Sequence, residues 1–460
     1  MKQFKRRMQF FATFAVSLAC LTLGVSSAWP SLVLPKFHNN ETSVEINEHE
    51  IGWMLAVNSP GFVAGSLVTR YLSDTVGRRV TLLGSVAPIV IGNIIVVFTM
   101  KAWLIYVTRF LLGVGTGMIS IIASIYVAEI SDKDIRGTLS VFTKIMFNLG
   151  NLVIMVIGPF VSYQTLNSMI LVLPPIYFLA CWWIPESPYY LLKDKRVDQA
   201  RKELKRLRSY KDDKTIEEDL MQMQSDVRNE MRHSTTAKEL FTGKQYRKAI
   251  IIATGLKVTQ ILSGIVTVQQ YLGRIMEESH SQMKLATVFI VFGIVRFVIG
   301  MISSILVDKV GRRPLFLYSF LGTSVSLAVV GVYFFLQEVV GLDHSALSPY
   351  GFVTFAGIIA SNIISTIGYN SIIQIVPAEI FPLNVKTVAL TSLTIFGGVL
   401  GFAVAKGYQL VKDSFGLCGV FLIFAGVCFL GALFVFFFVP ETKGKSLREI
   451  QIQLQGDMYD

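Results

Sequence analysis

Asp74-Thr75-Val76-Gly77-Arg78-Arg79 separates two long apolar stretches, and the same pattern returns as Asp308-Lys309-Val310-Gly311-Arg312-Arg313 between two more. Two other strings are echoed in the same order. Tyr126-Val127-Ala128-Glu129-Ile130 reappears as Val376-Pro377-Ala378-Glu379-Ile380, and Pro185-Glu186-Ser187 as Pro440-Glu441-Thr442. Three ordered echoes across one chain describe a duplicated unit. Because each copy sits among apolar runs, the duplicated unit is a membrane domain.

Composition agrees. Of 460 residues 52% are hydrophobic and only 16% charged, well outside the range of soluble globular domains. The net charge of +11 does not indicate a nucleic-acid partner, because the bases gather in short loops on one side of the apolar segments, as membrane topology requires. The four cysteines, Cys20, Cys181, Cys418 and Cys428, lie inside apolar segments and suggest small core residues rather than a disulfide framework.

Twelve spans are expected, near 9–33, 51–72, 80–100, 102–128, 138–160 and 166–184, then 249–271, 283–307, 314–336, 351–376, 386–411 and 416–439. The fold class is an all-α membrane protein of two pseudo-symmetric six-helix halves. Residues 1–184 form the first half, 185–248 a central loop with short helices, 249–439 the second half and 440–460 a tail. Lys2, Lys5, Arg6 and Arg7 precede an apolar run and imitate a secretory leader, but Met8 to Trp29 is long enough to cross a bilayer, which takes about 20 residues. Arg70, Arg78, Arg79, Lys133, Arg136, Lys309, Arg312 and Arg313 place the central loop and both termini in the cytoplasm. The first opposite loop, 34–50, carries four glutamates and the sequon at Asn40, a glycosylation candidate. A multi-pass plasma-membrane protein is expected.

These strings resemble the sugar-porter branch of the major facilitator superfamily over nearly the whole length. Arg109-Phe-Leu-Leu-Gly113, Arg136-Gly137, Pro185-Glu-Ser-Pro188-Tyr-Tyr-Leu191 and Pro440-Glu-Thr-Lys-Gly444 carry the resemblance. Val33-Leu-Pro-Lys36, Ala378-Glu-Ile-Phe-Pro382 and Lys406 look most like insect hexose and trehalose transporters. The resemblance implies a gating set of Asp74, Arg78, Arg79, Arg109, Glu129, Arg136 and Glu186 in one half, with Asp308, Arg312, Arg313, Glu379 and Glu441 in the other. An Arg at a membrane edge is costly to desolvate alone, and a facing carboxylate turns it into a charge-assisted tie between helices. Lys386-Thr387 replaces the usual Arg-Gly, so a weaker second network is expected.

For the cavity, Gln260-Ile-Leu-Ser-Gly264-Ile-Val266 resembles the family string QQLSGIN and makes Gln260 a sugar contact. Asn148, Asn370 and Gln374 are further candidates, with Gln374 standing where a Trp is usual. Gln260, Ser263, Thr267 and Gln270 are spaced as a polar stripe along the seventh span. Lys144 and Arg296 stand where relatives carry amides. A mid-membrane charge is costly and is by default a functional residue. No acid occurs in 138–160 or 283–307, so water, backbone or substrate is expected to face these two cations.

The expected function is therefore facilitated transport of hexose or trehalose by alternating access. Alternatives are a carrier of small organic anions or another polar solute using Lys144 and Arg296, and a sugar sensor that no longer transports. The first span holds no acid and no histidine lies within a span, so uniport is expected, with no metal or cofactor. No span holds a paired acid or activated nucleophile, so no enzyme activity is expected. The expected partners are a sugar-like solute and the lipid bilayer, with no nucleic acid and no obligatory protein.

Overall fold

The computed structural model describes residues 6–450 and 452, except 43, 133, 209–211, 233–236, 343–346, 374, 444 and 446–448. For 229–232, 237–239, 244, 304–305, 307–309, 348, 378 and 383–384 it describes the backbone alone. Eleven helical runs among the described residues are long and apolar enough to cross a membrane. The first six are Arg7–His38, Glu48–Thr75, Arg78–Phe98, Ala102–Ile130, Arg136–Phe160 and Tyr163–Trp182. Then come Arg247–Gln270, Leu285–Ser303, Arg312–Glu338, Phe352–Pro377 and Val385–Phe438.

The last run has 54 residues, far more than the roughly 20 that a bilayer needs. Its helix is broken at Gly416, where φ is 68° and ψ −175°, so it supplies the eleventh and twelfth spans. No loop separates them. The Glu338 carboxylate, at the end of the ninth span, accepts from the backbone N–H groups of Leu417 and Cys418, both at 3.0 Å. It thereby satisfies the donors that a new helix start exposes. The count is twelve, although the connection predicted at 412–415 is helical.

Two compact units can be distinguished. Unit 1 comprises 1–27, 57–151 and 162–234, and unit 2 comprises 28–56, 152–161 and 235–460. The C-terminal ends of the first and fifth spans and the start of the second thus belong with the second-half helices in unit 2.

Unit 1 is held by close approach of the second and fourth spans. A Cβ on Gly61 would come within 2.3 Å of the Phe110 carbonyl oxygen, and one on Gly65 within 2.0 Å of that of Val114. Gly113 and Gly117 reciprocate against Asn58 and Phe62. Small residues four apart let backbones touch where lipid supplies no hydrophobic drive for helix association. Beneath these spans lie the central helices Pro188–Lys193, Val197–Leu207 and Asp213–Arg232. Tyr190, Leu191, Ala200, Leu204, Ile216 and Leu220 form their common core. An Arg201–Glu217 fork, at 3.1 and 2.8 Å, closes it. Asp132, buried after the fourth span, receives Arg6 at 3.2 Å and Arg208 at 3.0 Å, which ties the first helix and the central helices to the bundle.

Gly65→Ala should therefore destabilise the protein by about 1–3 kcal/mol, the usual range for overpacking. Gly84→Ala, where an added Cβ meets nothing within 4 Å, should leave stability unchanged. Thermal unfolding of the two detergent-solubilised variants checks both.

Candidate functional site

At the end that carries the basic loops, Gly77 adopts φ 106°, a conformation that side-chain-bearing residues rarely take, and the third span begins at once. The turn presents the first N–H groups of that helix to Glu186. The carboxylate accepts from Arg78 N at 2.9 Å, Arg79 N at 3.1 Å and Ser187 N at 2.9 Å. The Arg78 side chain runs the other way. Its Nε and Nη2 fork onto Glu129 at 3.0 Å each, while Nη1 donates to the Ser73 carbonyl at 2.7 Å and to Asp74 at 3.1 Å. The guanidinium lies 5.3 Å from the Tyr190 ring centroid. Ser187 Oγ also donates to Glu129, and Lys193 pairs with Asp74 at 3.0 Å. Three segments distant in sequence meet at one arginine.

Unit 2 repeats the design. Gly311 takes φ 105°, and Glu441 accepts from Arg312 N at 3.0 Å and Arg313 N at 3.1 Å. Thr442 Oγ donates to Glu379 at 2.7 Å, as Ser187 does to Glu129. The pairing of Arg312 with Glu379 is a single contact at 3.2 Å rather than a fork. Arg79 and Arg313 each donate from Nη2 to a backbone carbonyl near the end of a span, Trp182 and Phe436 respectively.

Not every expected member joins. Arg136 forms no ion pair with Glu129 or Glu186 among the described residues, and its Nε is buried without a hydrogen-bond partner. Arg78 and Ser187 already occupy Glu129. Arg109 is buried in the fourth span twenty residues before Glu129, about 30 Å along one helix axis, so the structure does not bring it to this network. The Asp308 side chain lies outside the described residues.

The two capping carboxylates differ in their acid–base balance. Burial pushes Glu186 above the ordinary value of 4.5, and its backbone hydrogen bonds only partly offset that. Glu441 is only partly buried, and the N–H groups of Lys443, Arg312 and Arg313 outweigh that burial and hold it below the ordinary value.

Within the spans of unit 2, Gln260 Nε2 donates to Asn370 Oδ1 at 3.1 Å, and Lys257 Nζ donates to Gln260 Oε1 at 3.3 Å. The seventh-span stripe is not continuous, because Gly264 takes the left-handed conformation at φ 67° and interrupts the helix. Ser263 and Thr267 are consequently buried, Ser263 against the Tyr369 hydroxyl at 3.3 Å. Beyond the break, Gln269 lies opposite Arg296, whose Nη1 donates to Gln269 Oε1 at 2.6 Å. Arg296 thus has a neutral amide partner where water, backbone or substrate was expected. In unit 1, Lys144 is exposed and Asn148 half-buried on the fifth span, and the neighbouring Asn151 is buried and donates to Ser27 at 2.9 Å. Gln374 lies outside the described residues.

A second ionic cluster in unit 2 sits at the opposite end from the basic loops. Arg274, just beyond the seventh span, contacts Glu48 at 2.7 Å, Glu278 at 3.4 Å and Glu277 at 3.6 Å. Lys412 reaches Glu278 at 2.6 Å, Asn39 donates to Glu277 at 3.3 Å, and Lys406 stands 4.5 Å over the Trp53 ring. A Cβ on Gly273 would meet Pro35 Cγ at 2.4 Å, so the first and seventh helices touch there. Sequence reasoning missed this cluster. The acid-rich 34–50 loop was its only visible trace.

The family model described as "Sugar (and other) transporter" matches residues 9–454. The chain belongs to that family. Sugar transporters of this kind are carriers and not enzymes. The "Facilitated trehalose transporter Tret1" of Bombyx mori is 29% identical over 447 residues, covering 97% of this chain and 86% of that protein. The "Facilitated trehalose transporter Tret1-2 homolog" of Drosophila simulans is 30% identical, with 97% and 91% covered. The chain spans only 56% of the Anopheles gambiae Tret1, to which it is 28% identical. Among solved structures, the inward open conformation of the E. coli xylose transporter XylE superposes with a TM-score of 0.78 at 19% identity, over 97% of this chain and 99% of that one. The fold is that of the major facilitator transporters.

For Glu186, the raised value means that protonation stabilises the folded site; that gain is complete below 4.5 and lost as pH rises through the elevated value. For Glu441, the lowered value means that ionisation stabilises the fold; that gain is present above 4.5 and lost as pH falls through the depressed value. Glu186→Gln should therefore flatten the pH dependence of thermal stability above 4.5. Glu441→Gln should flatten it below. Melting curves across pH check both signs.

Proposed function

We propose that the protein is a facilitative transporter of hexose or trehalose working by alternating access in the plasma membrane, with both termini and the basic loops in the cytoplasm. The observation that carries this reading is the duplicated carboxylate–arginine network in a chain of the sugar-transporter family. Each copy joins the loop between two spans, the end of a third and the segment after a fourth through bonds that are local, directional and reversible. Such ties suit a gate. They hold one end of each six-helix half closed and are released together when that end opens.

The ionic cluster around Arg274 is the natural counterpart on the other face, because it fastens the outer ends of the first and second spans to the seventh and eleventh. Between the two faces, Gln260 and Asn370 form a half-buried hydrogen-bonded pair, which suits sugar hydroxyls. Similarity to facilitated trehalose transporters favours a disaccharide as cargo. The absence of an acid from the first span favours movement down a gradient without a coupled proton. Asn40, exposed in the turn after the first helix, is the site we assign to glycosylation on the outer face.

Uptake of labelled glucose and trehalose into proteoliposomes without an ion gradient tests the reading. Equilibration of either sugar supports it. Sugar binding without counterflow turns the protein into a sensor, and strong stimulation by external acid removes uniport. Glu129→Gln should shift the population inward, raising labelling of cytoplasmic-side cysteine probes several-fold. Unchanged labelling removes the gating role of the Arg78–Glu129 pair.

A further inference from the structure

The polar groups inside the second-half spans show a one-sided use of hydrogen bonds. A side-chain amide can both give and accept, whereas Lys and Arg only give. Three amide oxygens already accept from protein donors: Gln260 from Lys257, Asn370 from Gln260, and Gln269 from Arg296. The five side chains are half-buried. What they have left to offer is mainly N–H: the spare protons of Lys257 and Arg296, the second amide proton of Gln260, and the amide nitrogens of Asn370 and Gln269.

The charges are divided in the same sense. Cations at the ends of these spans meet carboxylates, Arg312 with Glu379, Arg274 with Glu48 and Lys412 with Glu278. Lys257 and Arg296 meet neutral amides instead, and residues 247–270, 285–303 and 352–377 contain no Asp or Glu. A membrane-embedded cation without a counter-ion is costly and favours an anion brought from outside. A sugar hydroxyl uses such a lining only in part, because once it accepts, its own proton must find one of the few lone pairs left on the three amide oxygens. A carboxylate only accepts, and its bonds to Lys and Arg are charge-assisted.

We propose that this donor lining selects a sugar acid, a ring-sized solute bearing one carboxylate, over the neutral hexose of the same ring. The inference rests on the sugar-transport reading and narrows its cargo. Lys257 holds the Gln260 amide by its oxygen, and Arg296 does the same for Gln269, so each cation both attracts the anion and orients an amide beside it.

The test uses the full-length chain in proteoliposomes, with direct uptake of labelled glucuronate and of labelled glucose, and lactate as a non-sugar anion. Thermal-shift binding of the same solutes in detergent is read in parallel, so that a variant that no longer transports is still informative. Glucuronate should bind and compete about tenfold more strongly than glucose, the difference expected for one additional charge-assisted contact. Lys257→Gln and Arg296→Gln should each lower that ratio several-fold. Glucose moving while glucuronate neither binds nor competes overturns the sugar-acid inference and leaves the sugar-transport reading standing. Variants that keep the original ratio overturn it as well. Lactate moving while neither sugar binds or moves overturns both.

Discussion

One contact organises this protein twice: a carboxylate set against the first N–H groups of a helix that starts straight after a left-handed glycine. Glu186 does this for the helix beginning at Arg78, and Glu441 for the helix beginning at Arg312. The glycine is required because the turn brings the carboxylate to within 2.5 Å of where a Cβ on Gly77 would lie. Helix starts present unsatisfied donors and a partial positive charge, so an anion there is stabilised without any side-chain partner. The arginine side chain is thereby free to tie down a third segment. Remove the carboxylate and the helix start, the arginine and the segment after the sixth or twelfth span all lose their common anchor.

The parts of this scheme that are local in sequence were legible from it. The Gly-Arg-Arg turns, the two Glu residues that follow their spans and the acids at the ends of the fourth and tenth spans carry the duplication on their face. Periodicity and length located the spans, with one joint misjudged because Gly416 breaks the helix at a single residue instead of opening a loop. What could not be read were contacts that depend on a kink or on distant chain ends. Gln269 faces Arg296 from a part of the seventh span that follows the break at Gly264, and the polar stripe read along a straight helix did not include it. Arg274 meets Glu48 across more than two hundred residues, and neither carries a recognisable string. Arg109 shows the opposite failure, since a string placed it with residues that the helix holds about 30 Å away.

Charge is sorted by depth. At the ends of the spans, arginines and lysines are neutralised by acids, which gives ties that form and break against water at modest cost. Deeper in the second-half spans Lys257 and Arg296 are supported by amides. The first arrangement suits parts that must separate in every cycle. The second suits a place where charge must remain available to something that arrives.

The joint at Gly416 has a mechanical consequence. Because the eleventh and twelfth spans share one turn with no slack between them, and Glu338 clamps that turn, displacement at the outer end of the eleventh span has nowhere to dissipate. It must pass into the twelfth. That helix carries Phe436 near its far end, with Glu441 just beyond, the groups that hold Arg313 and Arg312. Lys412, near the break, and Glu441, beyond the far end of the twelfth span, are thus the two ends of one lever, and unfastening either loads the other.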